Sequence, residues 1–79
     1  MKVKDAIKKV LEWEELVGWS PYYGGYANES PIARKFEQML DAALDELYEI
    51  ERKDRRANTP EVDKIYKELE KFGKANKLI

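Results

Sequence analysis

Apolar residues spaced three and four apart recur in three stretches of this chain, and two proline-marked boundaries separate the stretches. In the first, Val3, Ile7, Val10, Leu11 and Val17 fall at helical intervals, with Trp13 and Leu16 beside them. The second carries Ile32, Phe36, Met39, Leu40, Ala43, Leu44, Leu47, Tyr48 and Ile50. The third carries Val62, Ile65, Tyr66, Leu69 and Phe72. A period near 3.6 gathers such residues on one face of an α-helix, whereas a half-buried strand would alternate. The boundaries agree. Ser30-Pro31 and Thr59-Pro60 each place a capping hydroxyl before a proline suited to the first helical position. Asn58 suits a left-handed turn, and Gly18 suits the residue that closes a helix. The spacing predicts helices over about 2–17, 31–55 and 60–74.

The second apolar surface is wider than one seam needs, so the middle helix is expected to contact both others. The predicted fold is all-α: a three-helix antiparallel bundle in one domain spanning 1–79, with a long aromatic loop at 18–30 between helices 1 and 2. The expected core is Ile7, Val10, Leu11, Ile32, Phe36, Leu40, Ala43, Leu47, Ile65, Leu69 and Phe72. Helix 1 has its lysines (Lys2, Lys4, Lys8, Lys9) at the start and its acids (Glu12, Glu14, Glu15) at the end, against the helix dipole. Antiparallel packing would compensate. The acids are expected to face Arg34 and Lys35, and the lysines to face Asp41, Asp45, Glu46 and Glu49. The acidic start of helix 3 is expected beside Arg52, Lys53, Arg55 and Arg56.

Composition narrows the function. The chain has 79 residues, enough for one domain with an economical core. It contains no Cys, so disulfides, thiolate metal ligands and thiol nucleophiles are excluded. It contains no His, which removes the commonest acid–base group and metal ligand at neutral pH. The hydroxyls of Ser20, Ser30 and Thr59 therefore have no imidazole base, and Ser30 reads as a helix cap. No catalysis and no cofactor are expected. The N-terminal segment does not read as a signal peptide, no run of 18 apolar residues is present, and a cytoplasmic location is expected. The formal charge of −1 argues against a surface built throughout for nucleic acid.

Three constellations remain. Glu37, Asp41, Asp45 and Glu49 stand four apart, a carboxylate column on one face of helix 2. It reads as a solvated face that pairs with the lysines of helix 1, and no metal is expected. Arg52, Lys53, Arg55 and Arg56 form a basic run that could grip phosphates. Their place at a helix C-terminus is also what the dipole favours. The segment GWSPYYGGYANES, residues 18–30, holds Trp19, Tyr22, Tyr23 and Tyr26, four of the nine aromatic residues. Its glycine pair, proline and serines forbid a long helix or strand. Tyr and Trp anchor protein interfaces, because a large rigid ring carries a polar tip. Base stacking usually has basic neighbours, and this segment has none. The competing reading folds Trp19 and Tyr23 back over the open ends of a thin core.

The stretch WSPYYGGYANESPIARKFEQMLDAALDELYEIE resembles the N-terminal part of phage late-operon transcriptional regulators. There a helix, a Ser-Pro- and Gly-containing loop and a Pro-capped helix follow in this order. The likeness covers about residues 1–56. Those regulators continue into a sigma-like DNA-binding region for which this chain shows no counterpart. The segment PEVDKIYKELEKF is similar to small sporulation phosphatases, helical hairpins that carry Ser-Gln-Glu-Leu-Asp. Here those positions read Tyr66, Lys67, Glu68, Leu69 and Glu70, so that activity does not carry over.

Together these readings predict a non-catalytic helical protein-interaction module. It would be a phage-type small regulator, or inhibitor of a host protein, that binds a protein partner through Trp19, Tyr22, Tyr23 and Tyr26. A first alternative is a nucleic-acid-binding regulator that uses Arg52, Lys53, Arg55 and Arg56. A second is a homo-oligomeric structural or designed helical protein. No membrane contact is expected, and the chain would be a monomer or a homodimer.

Overall fold

The fold is all-α. A computed structural model describes residues 1–18 and 31–79, and over these it places three helices. Helix α1 is Val3–Gly18, α2 is Pro31–Lys53 and α3 is Pro60–Ala75. Among the described residues there is no strand.

Local chemistry sets the ends. Thr59 is extended, with φ −103° and ψ 159°, and its hydroxyl accepts from the Val62 amide before Pro60 opens α3. Helix α2 stops at Lys53, two residues before the boundary expected at Arg55. Asp54 is the reason. Its carboxylate accepts the Arg56 amide at 3.0 Å, and its carbonyl accepts the Ala57 amide at 3.1 Å. An Asp that bonds the backbone two residues on makes a turn that competes with the helix.

The turn also fixes topology. The Val3 amide, unsatisfied at the start of α1, donates to the Ala57 carbonyl at 2.7 Å. The start of α1 therefore lies at the end of α2, and the two run antiparallel. The Met1 ammonium adds contacts to Asn58 and to Asp63, at 2.8 and 2.7 Å. At the other end, Phe36 near the start of α2 stacks on Phe72 near the end of α3, with centroids 5.8 Å apart. Helices α2 and α3 are thus antiparallel as well.

The core follows the innermost line of each helix. Helix α1 buries Val3, Ala6, Ile7, Val10, Trp13 and Val17. Helix α2 buries Ala33, Phe36, Leu40, Ala43, Leu44 and Leu47. Val62, Leu69, Ala57 and Leu78 complete it. Two expected core residues lie elsewhere. Leu11 is 43% exposed and Ile32 48% exposed. Each sits one residue, about 100° of helix rotation, from a buried neighbour, Val10 or Ala33, that takes the inward position. Ile65 and Phe72 are half-buried and pack against the core from its edge.

The chain after α3 turns back into the bundle. Lys77 has φ 57°, its amide donates to the Lys74 carbonyl, and the Leu78 amide donates to the Gly73 carbonyl at 2.7 Å. This pair of bonds is a Schellman ending with lysine where glycine is usual. It brings Leu78 into the core and sets Ile79 against Gly73. A β-carbon on Gly73 would lie 2.8 Å from Ile79 and 2.9 Å from the buried Phe36 ring.

Two outcomes follow. Lys77→Gly should stabilise the fold by about 0.5–1 kcal/mol, because glycine adopts positive φ without a steric cost. Gly73→Ala should lower the thermal midpoint, since overpacking costs ~1–3 kcal/mol against ~1 kcal/mol gained in helix propensity. Paired melts followed by circular dichroism check both signs.

Candidate functional site

Trp19, Tyr22, Tyr23 and Tyr26 lie outside the described residues. The two helix ends that deliver this segment are described. Helix α1 arrives with Val17 buried and Leu16 48% exposed. Helix α2 departs with Ala33 buried and Ile32 exposed to the same degree. Each flank thus shows one large aliphatic side chain to solvent within three residues of the aromatic segment. Exposed aliphatics that frame an interface add apolar area to its anchors.

Beneath this end lies an aromatic cluster that holds the helices together. The Trp13 ring stacks on Tyr66 at 5.2 Å and tilts against Phe36 at 6.5 Å. Phe36 continues to Phe72. The Lys35 ammonium lies 5.7 Å from the Phe72 centroid, a cation–π contact. The Tyr66 hydroxyl donates to Glu70 at 3.2 Å. Burial first, then that hydrogen bond, then the Glu70 charge hold the phenol above its ordinary pKa.

Among the described residues, most of the ion pairs lie within one helix, rather than between helices as the sequence pattern would place them. Lys35 turns to Phe72, Lys53 and Glu61 line one depression, and Glu14 of α1 lies near acid. Glu14 faces Asp41 and Glu37 of α2, and its carboxyl is pushed up from 4.5 to about 7. Burial is the largest cause, then a hydrogen bond with the Asp41 side chain, then the charges of Asp41 and Glu37. Lys9 pairs with Glu12 of its own helix at 3.6 Å. Asp63, near the start of α3, pairs with the Met1 ammonium, and Arg52 pairs with Glu49 of its own helix at 3.5 Å. Of the column read as a solvated face, Asp41, Asp45 and Glu49 are exposed and Glu37 is half-buried. Among the described residues, no three Asp or Glu side chains are arranged to hold a metal ion.

Arg52, Lys53, Arg55 and Arg56 are all exposed. Arg52 and Lys53 occupy the last turn of α2, and Arg55 and Arg56 the turn beyond it. They do not form an uninterrupted basic face. A shallow depression beside them has Arg52 and Arg55 together with Asp45, Glu49 and Glu51. Among the described residues, no helix is long and apolar enough to cross a membrane.

The chain matches no protein-family model, no curated protein and no solved structure.

The Tyr66 contacts give a direct test. Tyr66→Phe keeps the ring against Trp13 and deletes the hydroxyl bond, so it should cost about 1 kcal/mol. Tyr66→Ala deletes both and should cost about 3–5 kcal/mol, as for large aromatic truncations. Urea titrations of the two variants measure the difference.

Proposed function

We propose that this chain is a non-catalytic protein-interaction module that engages a protein partner through its 18–30 segment. Trp19, Tyr22, Tyr23 and Tyr26 are the anchors, and Leu16 and Ile32 flank them. On this reading the molecule acts as a small regulator or inhibitor by occupying a surface of its partner.

One observation carries the reading. The end of the bundle from which the aromatic segment leaves is already filled by the chain's own C-terminal residues. Leu78 is buried there, and Ile79 packs on Gly73 beside the Phe36 ring. Four further aromatic rings are not needed to close that end. The exposed Leu16 and Ile32 support the same view, because both would gain by burial under a partner. Rigid aromatic anchors framed by aliphatics are the usual composition of an energetic interface centre.

The test separates binding from folding. A variant with Trp19, Tyr22, Tyr23 and Tyr26 all changed to Ala is melted beside the wild type, and both are used as bait. The expected result is a midpoint within about 5 °C of wild type, under ~1 kcal/mol for a domain this size. A partner bound saturably by the wild type should be lost from the variant and weakened by Leu16→Ala/Ile32→Ala. A midpoint drop beyond ~10 °C would assign the rings to the core, and an unchanged set of bound proteins would remove the segment from recognition.

A further inference from the structure

The seam between α2 and α3 is open along the flank that α1 does not cover. A depression of about 210 Å³ lies there, floored by Met39, Ala42 and Ala43 of α2 and by Ile65 and Leu69 of α3. A second depression shares Glu46 with it and continues past Ile50 to Ala57 and the start of α3. No residue of α1 lines either one. The stacked rings of Phe36 and Phe72 set the spacing of the two helices near one end. Beyond them α2 offers the small side chains Ala42 and Ala43, which leave a trough. Met39, Ile50 and Ile65 stay half-buried along it, and Ala42 is exposed. From Met39 to Asp54 the trough follows α2 for about 22 Å, at ~1.5 Å per residue.

Charge gives the trough a sign. Its acids are Glu46, Glu49, Asp54, Glu61 and Glu68, and its base is Lys53. Other acids find cations one turn away, as Glu12 does with Lys9, Glu49 with Arg52 and Glu70 with Lys74. Glu46, Glu61 and Glu68 have no cation partner among the described residues. We propose that the α2–α3 trough docks an amphipathic helix of a partner protein. Its apolar stripe would lie on Met39, Ala42, Ile65 and Leu69, and its flanking lysines or arginines would meet Glu46, Glu61 and Glu68.

The chemistry of the trough selects this occupant. The backbone groups of α2 and α3 are bonded within their own helices, so an extended strand would find no ladder to join. A helix laid along two others packs ridge into groove and makes a fourth member of the bundle. A second copy docked by the same face would set these acids against themselves. The apolar depression is also smaller than the ~300 Å³ at which small-molecule pockets begin. This surface uses none of residues 19–30 and does not rest on their role.

Two synthetic amphipathic peptides of about 18 residues, five helical turns, test the trough. One carries a leucine stripe flanked by lysines, and the other replaces every lysine with glutamate. Each is titrated into the isotope-labelled full chain and followed by two-dimensional NMR. The lysine peptide should shift the signals of Met39, Ala42, Ile65 and Leu69 saturably. Its affinity should fall severalfold as salt rises from about 50 to about 300 mM. The glutamate peptide should leave those signals in place. Glu46→Gln/Glu68→Gln should weaken binding about threefold or more. Ala42→Trp, whose ring fills the trough, should abolish saturation. The variant with Trp19, Tyr22, Tyr23 and Tyr26 changed to Ala should bind the lysine peptide like wild type, so failure here and failure of the aromatic reading are told apart. Equal shifts with the glutamate peptide, or with a scrambled lysine peptide, would overturn the proposal. So would shifts at the Asp41 and Asp45 face of α2 in place of the trough. A sedimentation mass that doubles with concentration as the trough signals move without peptide would overturn it in favour of a second copy. Ring contacts from residues 19–30 to the Met39 methyl in the free chain would overturn it in favour of the chain's own segment. The peptide and salt series need only the wild type, so a variant that fails to fold leaves the test intact.

Discussion

Trp13 is the side chain through which all three helices meet. It grows from α1, stacks on Tyr66 of α3 and leans on Phe36 of α2. Phe36 passes the contact on to Phe72 and, at its tip, to the space that Gly73 leaves open. A chain of 79 residues has little interior, so a few large rings must supply much of its buried area. The glycine is part of the same arrangement. A helix interior normally disfavours it, and here it lets the C-terminal residues approach Phe36. The left-handed Lys77 then becomes intelligible as the bend that delivers Leu78 and Ile79 to that gap.

The packing also explains why ion pairs between helices are not needed to set the topology. Antiparallel order is secured by the Val3–Ala57 backbone bond and by the ring contacts. Exposed ion pairs contribute ~0–1 kcal/mol each and cannot outweigh such a core. Lys9 with Glu12, Glu49 with Arg52 and Glu70 with Lys74 pair locally, one turn apart. Near the end of α1, burial and then the acids Asp41 and Glu37 hold the Glu14 carboxyl up at about 7.

Much of the fold was legible because the apolar spacing and the caps agree. Thr59-Pro60 starts α3 where the residues say, and Val10, Phe36, Leu40 and Leu47 are buried as their spacing requires. Leu11 and Ile32 misled because hydrophobicity alone does not distinguish the centre of a wide face from its edge. Smaller neighbours won the inner line: Val10 lies beside Leu11, and Ala33 beside Ile32. Ala6, Ala33 and Ala57 were easily missed for the opposite reason, since alanine carries little hydrophobic signal yet fits where backbones come close. Leu78 gave no periodic signal, being outside any helix, and a left-handed lysine offers no glycine to mark the turn. Of the site, the residues of the aromatic segment were recognisable by composition alone. The Glu14–Asp41 meeting needed three-dimensional register, which a single carboxylate spacing on one helix does not contain.

A bundle this small usually has to choose between spending its aromatic residues on its core and displaying them. Four of the nine serve the interior here. Trp13, Phe36, Tyr66 and Phe72 make the interior contacts, and Leu78 with Ile79 closes the end near Phe36. On the proposed reading the rings of residues 19–30 serve a partner, and the exposed Leu16 and Ile32 beside them would be buried with them.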